Sequence, residues 1–421
     1  MAGTSSAGVG AAFGRDDKPS TATSVGTGMK VALLTGGFDK PYAFGVATEL
    51  ASQGICVDVI GSDAVDTPAF HSTPGLRFFN LQGRWSDANI AIKTLKLLVF
   101  YWRLISYAAT AQPKIFHILW NNKLQLFDRT LLMMYYKALR KKVVITAHNI
   151  NAGKRDANDS MLNRISLKLQ YMLADHIFVH TERMKQEIRQ DFGVQDRAVT
   201  VIPFGINNSI LHTDLARVQA KERLGFEEYE KTILFFGAIR PYKGLEYLVE
   251  AFLGLAPRHP DYRLIVAGET RKGHEKYWND IRERIGCDAN RDKVRLRIEY
   301  ISDEDTESYF KAADLVVLPY THVFQSGVLF LAHSFGVPVV ATDVGSLKED
   351  IIDGRTGYLC RPCDSDDLAR RIAQYFDSEL FKTLDQRRQD ICNYANVQHS
   401  WAVVGERTWK VYANLIWRSK S

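Results

Sequence analysis

The stretch Ile233-Leu-Phe-Phe-Gly-Ala-Ile-Arg-Pro-Tyr-Lys-Gly244 passes from an apolar run directly into a cationic turn. Ile233, Leu234, Phe235 and Phe236 are all apolar, the pattern of a parallel strand covered on both faces. Gly237 ends the run, Pro241 sets a turn, and Gly244 lets the backbone pass close to whatever Arg240 and Lys243 face. Leu245, Leu248, Val249 and Phe252 follow at helical spacing. The two cations therefore sit where a strand feeds a helix. Open α/β sheets bind anions there, because strand C-termini and helix N-termini converge, and Arg with Lys can neutralise a diphosphate. A solvated basic turn has the same Arg-x-x-Lys spacing, so the rest of the chain must decide.

Strands and helices alternate on both sides of this stretch. Downstream come the strand and turn Arg263–Glu269, with Gly268 in the turn, and the strand Val294–Ile301. A helix follows over Asp303–Ala313, then the strand Asp314–Tyr320 and a loop at Thr321–Ser326. Gly327 opens an apolar helix ending at Gly336, Val337–Ala341 is the last clear strand, and Asp366–Phe376 and Trp401–Trp417 are closing helices. Upstream, Lys30–Leu34 is a buried strand, Thr35-Gly36-Gly37 a turn, Tyr42–Gln53 a helix and Cys56–Ile60 a strand, which makes a βαβ opening. The strand beginning at Lys142 ends on His148-Asn149, at the edge where ligands gather. Met161–Leu173 is a helix, and Ile177–Thr181 and Val199–Ile206 are strands. Asn207–Lys231 reads as the linker between two halves.

At 421 residues the chain exceeds one ordinary core, so two domains are expected. The expected boundaries are a disordered Gly/Ala/Ser/Thr-rich tail at 1–28, a first domain at 29–206, a second at 207–395, and a C-terminal helix at 396–421 packing back on the first domain. With 46% hydrophobic and 24% charged residues this is a globular composition, and a net charge of +6 is modest for the length. No nucleic-acid partner is expected. Cys56, Cys287, Cys360, Cys363 and Cys392 are scattered and odd in number, which fits a reducing, cytoplasmic compartment. Cys360-Arg-Pro-Cys363 has no second pair and reads as two loop thiols rather than a zinc site. The pair Gly36-Gly37 does not match G-x-G-x-x-G, and no acidic residue closes the second strand, so a nicotinamide dehydrogenase is disfavoured.

Residues 84–142 are rich in Lys and Arg interleaved with Leu97–Leu104, which includes Tyr101 and Trp102, and with Leu131–Tyr136. Neither apolar run reaches the roughly 20 residues that span a bilayer. Basic helices carrying Trp and Tyr suit an anionic membrane surface. Two sheet-covering helices with basic outer faces would read the same way.

Taken in order, several of these stretches resemble the glycosyltransferases of family 4, the retaining nucleotide-sugar enzymes of GT-B fold. The carriers are the Gly36-Gly37 turn, Thr146-Ala-His148-Asn149, Val201-Ile-Pro-Phe-Gly-Ile206, Gly237–Gly244, Val266-Ala-Gly268-Glu269, Gly327–Leu331 and Gly336–Gly345. The resemblance runs from about Met29 to the C-terminus. It implies two Rossmann-like doubly wound α/β domains facing each other across a cleft. It also implies that His148, Arg240 and Lys243 are catalytic, the last two stabilising the departing diphosphate in place of a metal. Gly37, Gly237, Gly268, Glu269, Tyr300, Ile301, Gln325, Ser326, Gly327 and Val328 would bind the donor, with Gly36 and Asn149 on the acceptor side. No cofactor is implied beyond a UDP- or GDP-sugar co-substrate. The acceptor would be a glycan or lipid-linked glycan, met at the inner face of the cell membrane. A soluble sugar or sugar-phosphate acceptor and a non-catalytic nucleotide-sugar binder are the alternatives. The chain departs from the family over His322–Ala332, where two glutamates seven residues apart are absent.

Overall fold

The computed structural model describes residues 28–84, 89–155, 159–205, 212–323 and 325–417; side chains at 154 and 155 are not described. The expectation for the tail at 1–27 lies outside these residues. Two parallel sheets form the molecule. The first is built from β1 (Lys30–Leu34), β2 (Cys56–Gly61), β3 (Leu76–Asn80), β4 (Ile115–Ile118), β5 (Lys142–Thr146), β6 (His176–Val179) and β7 (Val199–Val201), in the order β3-β2-β1-β4-β5-β6-β7. The second contains β8 (Lys231–Phe236), β9 (Tyr262–Ala267), β10 (Val294–Arg297), β11 (Leu315–Leu318), β12 (Val339–Thr342) and β13 (Gly357–Cys360), ordered β10-β9-β8-β11-β12-β13.

Both sheets are covered on two faces, which is why their strands are apolar at successive positions. In β8, Ile233 and Phe235 join one core cluster and Leu234 joins the cluster on the opposite face. In each sheet the strand order reverses direction at one place, between β1 and β4 and between β8 and β11. Loops leaving the C-terminal ends of those paired strands diverge and leave a crevice.

The structure corrects several expectations. β3, β4 and β13 were not foreseen, and β4 is the central strand beside β1. Its four residues lie inside the basic segment that reads as two helices. The expected strand over Val294–Ile301 ends at Arg297, so Tyr300 and Ile301 belong to the loop that follows. The expected linker contains the helix Arg217–Arg223, whose Lys221 is fully buried and donates to Asp314 Oδ2 at 2.9 Å. Cys360 is not a loop thiol: it ends β13, is buried, and has its thiol pushed up to about 12 by that burial. Cys363 is exposed in a turn at φ 56°.

The helix Trp401–Trp417 crosses back to the first sheet and packs on the helix Lys40–Ser52. Two glycines make room for the Trp401 ring. A Cβ at Gly45 would stand 2.1 Å from it, and one at Gly205 would stand 2.4 Å away.

Candidate active site

The reversal point of the second sheet is built by the stretch that opened the sequence reading. Gly237, at φ 97°, turns the chain as β8 ends, and a Cβ there would meet Lys243 Nζ at 2.9 Å. Gly268, after β9, would drive a Cβ to 2.2 Å from the Gly237 carbonyl oxygen, and Gly244 would drive one to 2.0 Å from that of Pro319, after β11. Only glycine allows three loops to close up in this way. The result folds Lys243 inward: it is 8% exposed, with its Nζ 5.7 Å from the centre of the Tyr320 ring.

Lys243 lines a cavity of about 340 Å³ between the two sheets. The second domain contributes Tyr242, Tyr320, Gln325, Ser326, Gly327 and Val328; Tyr42, Phe204, Gly205 and Trp401 close it from the other side. Among these lining residues the only carboxylate is Asp39, which also caps the helix Lys40–Ser52 by accepting from the Tyr42 amide. Burial, with Arg240 and Arg271 nearby, pulls the Lys243 ammonium down to about 8. Above the cavity the helix Gly327–Ser334 begins with no side-chain cap, since Ser326 makes no capping bond and its hydroxyl lies 3.3 Å from that of Tyr320. The helix therefore turns its N-terminus, at Gly327 and Val328, and the positive end of its dipole to the same space.

The first sheet's reversal point holds a different arrangement. Its cavity, about 400 Å³, lies at the ends of β4 and β5 and is lined by Trp120, Asn121, His148 and Asn149 among others. His148 stacks on Trp120 at 4.1 Å between centroids and lies edge-on to Tyr42 at 4.7 Å. Its Nδ1 is 3.0 Å from His180 Nε2, and His180 Nδ1 is 3.3 Å from the Ile202 carbonyl oxygen. A carbonyl only accepts, so His180 Nδ1 carries its proton and, in the neutral ring, His180 Nε2 is the acceptor. His148 Nδ1–H then donates to it, and His148 Nε2 is left with a lone pair. That nitrogen is buried without a partner. Burial holds His148 well below the usual range and brings His180 down to about 4. His148 is thus a neutral ring with one free acceptor, suited to a sugar hydroxyl and not to an anion.

The sequence-derived residues distribute over this geometry unevenly. Lys243, Gln325, Ser326, Gly327 and Val328 meet in the interdomain cavity, while His148 and Asn149 line the first-domain one, with Tyr42 as the wall between. Arg240 begins the same turn as Lys243 and adds to its field. Gly237 and Gly268 shape the turn. Gly36 packs against the Asn121 carbonyl and Gly37 against Gln82. Glu269 is ion-paired to Arg271 at 2.8 Å. Tyr300 is 73% exposed and lines neither cavity; Ile301 packs against the second-sheet core.

Tyr42, Phe204 and Trp401 escaped the sequence reading, although Gly45 and Gly205 were signals that a large ring needed room. Val323 and Leu331, also missed, put apolar side chains in the cavity at the loop where two glutamates were expected. No group of three or more His, Cys, Asp or Glu side chains converges as a metal would require, among the described residues.

Two facing parallel sheets, with a cation-lined cavity between them, define the GT-B class of fold. The sequence comparisons then give the family. Residues 41–209 match the model described as Glycosyltransferase Family 4, and residues 217–397 match Glycosyl transferases group 1. The chain belongs to glycosyltransferase family 4. Mannosylfructose-phosphate synthase from Agrobacterium fabrum is 29% identical over 50% of this chain and 46% of its own length, so the matched part spans about half of that relative. D-inositol 3-phosphate glycosyltransferase from Corynebacterium glutamicum is 23% identical over 89% of this chain and 91% of its own. The crystal structure of HepE from Anabaena in complex with UDP and glucose shares the fold at a TM-score of 0.72 and 17% identity, covering 92% of this chain and 100% of that one.

Proposed function

We propose that the protein transfers a sugar, with retention, from a nucleoside-diphosphate donor to an acceptor hydroxyl, and that Lys243 and Arg240 carry the electrostatic part of the reaction. The observation behind this reading is one buried ammonium facing a cavity beneath an uncapped helix N-terminus, with no ion pair to any described carboxylate. A diphosphate would supply the missing negative charge. As the bond from the sugar to the diphosphate breaks, charge grows on the leaving oxygen. Lys243, Gly327 and Val328 already line that space and Arg240 adds its field from the same turn as Lys243, so they would stabilise that charge with little reorganisation. His148, with its free lone pair, accepts from a hydroxyl of the donor sugar.

UDP is the first nucleotide to try, because a structure of the same fold holds UDP and glucose. Two relatives are named for phosphorylated products or acceptors, which keeps sugar phosphates among the acceptors to test. A lipid-linked acceptor is favoured by the outer surface of the first domain. The helices Ile90–Thr110 and Met161–Leu173 expose Ile90, Leu95, Leu98, Trp102, Met161, Leu162 and Ile165 beside Lys93, Lys96 and Lys168, a mixture suited to an anionic membrane surface. No helix among the described residues is long and apolar enough to cross a membrane. The protein would therefore be peripheral.

The apolar Val323 and Leu331 favour one second reading, a nucleotide-sugar binder without turnover. A panel of UDP- and GDP-sugars offered with and without acceptor separates the two. Sugar transfer or donor hydrolysis that is lost in Lys243→Ala supports the transferase, whereas tight binding with no turnover for any donor sinks it.

A further inference from the structure

The first-domain cavity contains a charge that the donor chemistry does not use. Arg129 is 9% exposed and lines it. Its Nη1 donates to Asn163 Oδ1 at 2.7 Å and, at 3.5 Å, to Ser166 Oγ; its Nη2 donates to Gln125 Oε1 at 3.0 Å. All three acceptors are neutral, and Nε is buried with no acceptor among the described residues. Asp128 is adjacent in sequence, and its charge is felt at Arg129, but it makes no ion pair with the guanidinium: its Oδ1 accepts from the Tyr101 hydroxyl and Asn122 Nδ2, and its Oδ2 is buried with no partner among the described residues. Burial raises that carboxyl to about 6. Among the described residues no Asp or Glu lines the cavity, and Lys123 adds a second cation at its exposed rim. A guanidinium taken out of water without a paired carboxylate is unfavourable unless an anion completes the site.

We infer that this cavity receives an anionic group of the acceptor, a phosphate or diphosphate, held by Arg129 with Lys123 at the mouth. The inference rests on the transferase reading for the word acceptor, but not on how the donor is held. Asn121, Asn122 and Gln170, which also line the space, would serve the neutral part of the same molecule. Leu124 and Leu126 are exposed on either side of Gln125. A lipid-linked phosphate would therefore find apolar side chains at the entrance, and a free sugar phosphate would find the same cations within.

Thermal unfolding of the full chain in rising inorganic phosphate tests this, with R240A/K243A as the background so that the interdomain cations contribute nothing. In that background phosphate should raise the melting temperature. Adding R129Q should abolish the rise or demand roughly tenfold more phosphate or beyond. R129K, which keeps the charge and loses the planar fork, should fall between the two. An equal response with and without Arg129 overturns the inference. Should R129Q not melt cooperatively, K123Q at the exposed rim must still weaken the response, and an unchanged response there overturns it as well. Flotation with phosphatidylcholine vesicles, with and without a polyisoprenyl monophosphate, separates the sources. Retention that needs both the doped lipid and Arg129 assigns a lipid-linked acceptor; a phosphate response without retention assigns a free sugar phosphate. Failure of the donor reading would register elsewhere, as nucleotide-sugar binding indifferent to R240A/K243A.

Discussion

Two lysines are buried in the second domain, and their surroundings are opposite. Lys221 donates to Asp314 Oδ2 at 2.9 Å and to the Glu228 carbonyl at 3.1 Å, and Asp314 in turn receives Arg217 and the Thr232 amide. Every charge in that group has a partner, and the group ties the helix Arg217–Arg223 to β8 and β11. Lys243 lies at the end of the same sheet, near two other cations and two aromatic rings, with no carboxylate partner among the described residues. Burying an unpaired charge costs several times more than burying a paired one. A fold that keeps both has one lysine for cohesion, and under the proposed function the other waits for an anion from outside.

Exchanging the two lysines experimentally should separate those roles. The largest effect is expected in transfer: Arg240→Ala and Lys243→Ala should each raise the barrier by about 3 kcal/mol, read as kcat/KM, with urea midpoints near wild type. Lys221→Ala should do the reverse. It leaves Asp314 with one cation instead of two, so unfolding should become easier by about 3 kcal/mol, while the specific activity of the remaining folded protein stays near normal. Matching losses of activity and stability in both variants would break the comparison.

A smaller effect follows from the depressed ammonium. The folded, ligand-free Lys243 titrates at about 8, against 10.5 for an ordinary lysine. A bound diphosphate stabilises the charged form, so affinity for UDP should be flat below about pH 8 and fall about tenfold per unit above it. In the same window the unfolded chain binds more protons than the folded one, so the ligand-free protein should gain stability as pH rises from about 8 towards 10.5. Both trends should vanish in Lys243→Met; titration by calorimetry and by urea reads them.

Smaller again is His148→Phe. The ring stack on Trp120 survives, but the free acceptor and the bond to His180 Nε2 are both lost, so transfer should slow by about 1 kcal/mol and stability should fall by about 1 kcal/mol or more. Cys363→Ser, exposed and outside both cavities, should change neither measurement beyond about 0.5 kcal/mol.

The two ends of the site also differ in how much of them could be read in advance. The turn that carries Lys243 was legible because its signals are local. An apolar run, a glycine, two cations and a helical pattern stand in one stretch, and the geometry followed from their order. The aromatic end was not, because Tyr42, Trp120, Phe204 and Trp401 come from four distant segments and meet only through tertiary packing. Strand β4 is four residues long and lies in a segment whose cations suggested helices. Arg129 looked like any other cation of that segment; what sets it apart is burial beside neutral amides, and no spacing encodes that.

The return of the last helix has a mechanical consequence. Past Ser400 the chain is back on the first lobe, where Trp401 is wedged against Gly45 and Gly205. The same ring lines the cavity that holds Lys243. Enlarging either glycine should therefore unseat the last helix and push an aromatic side chain out of the cavity wall in one event, so that damage to the wedge is felt at the lysine.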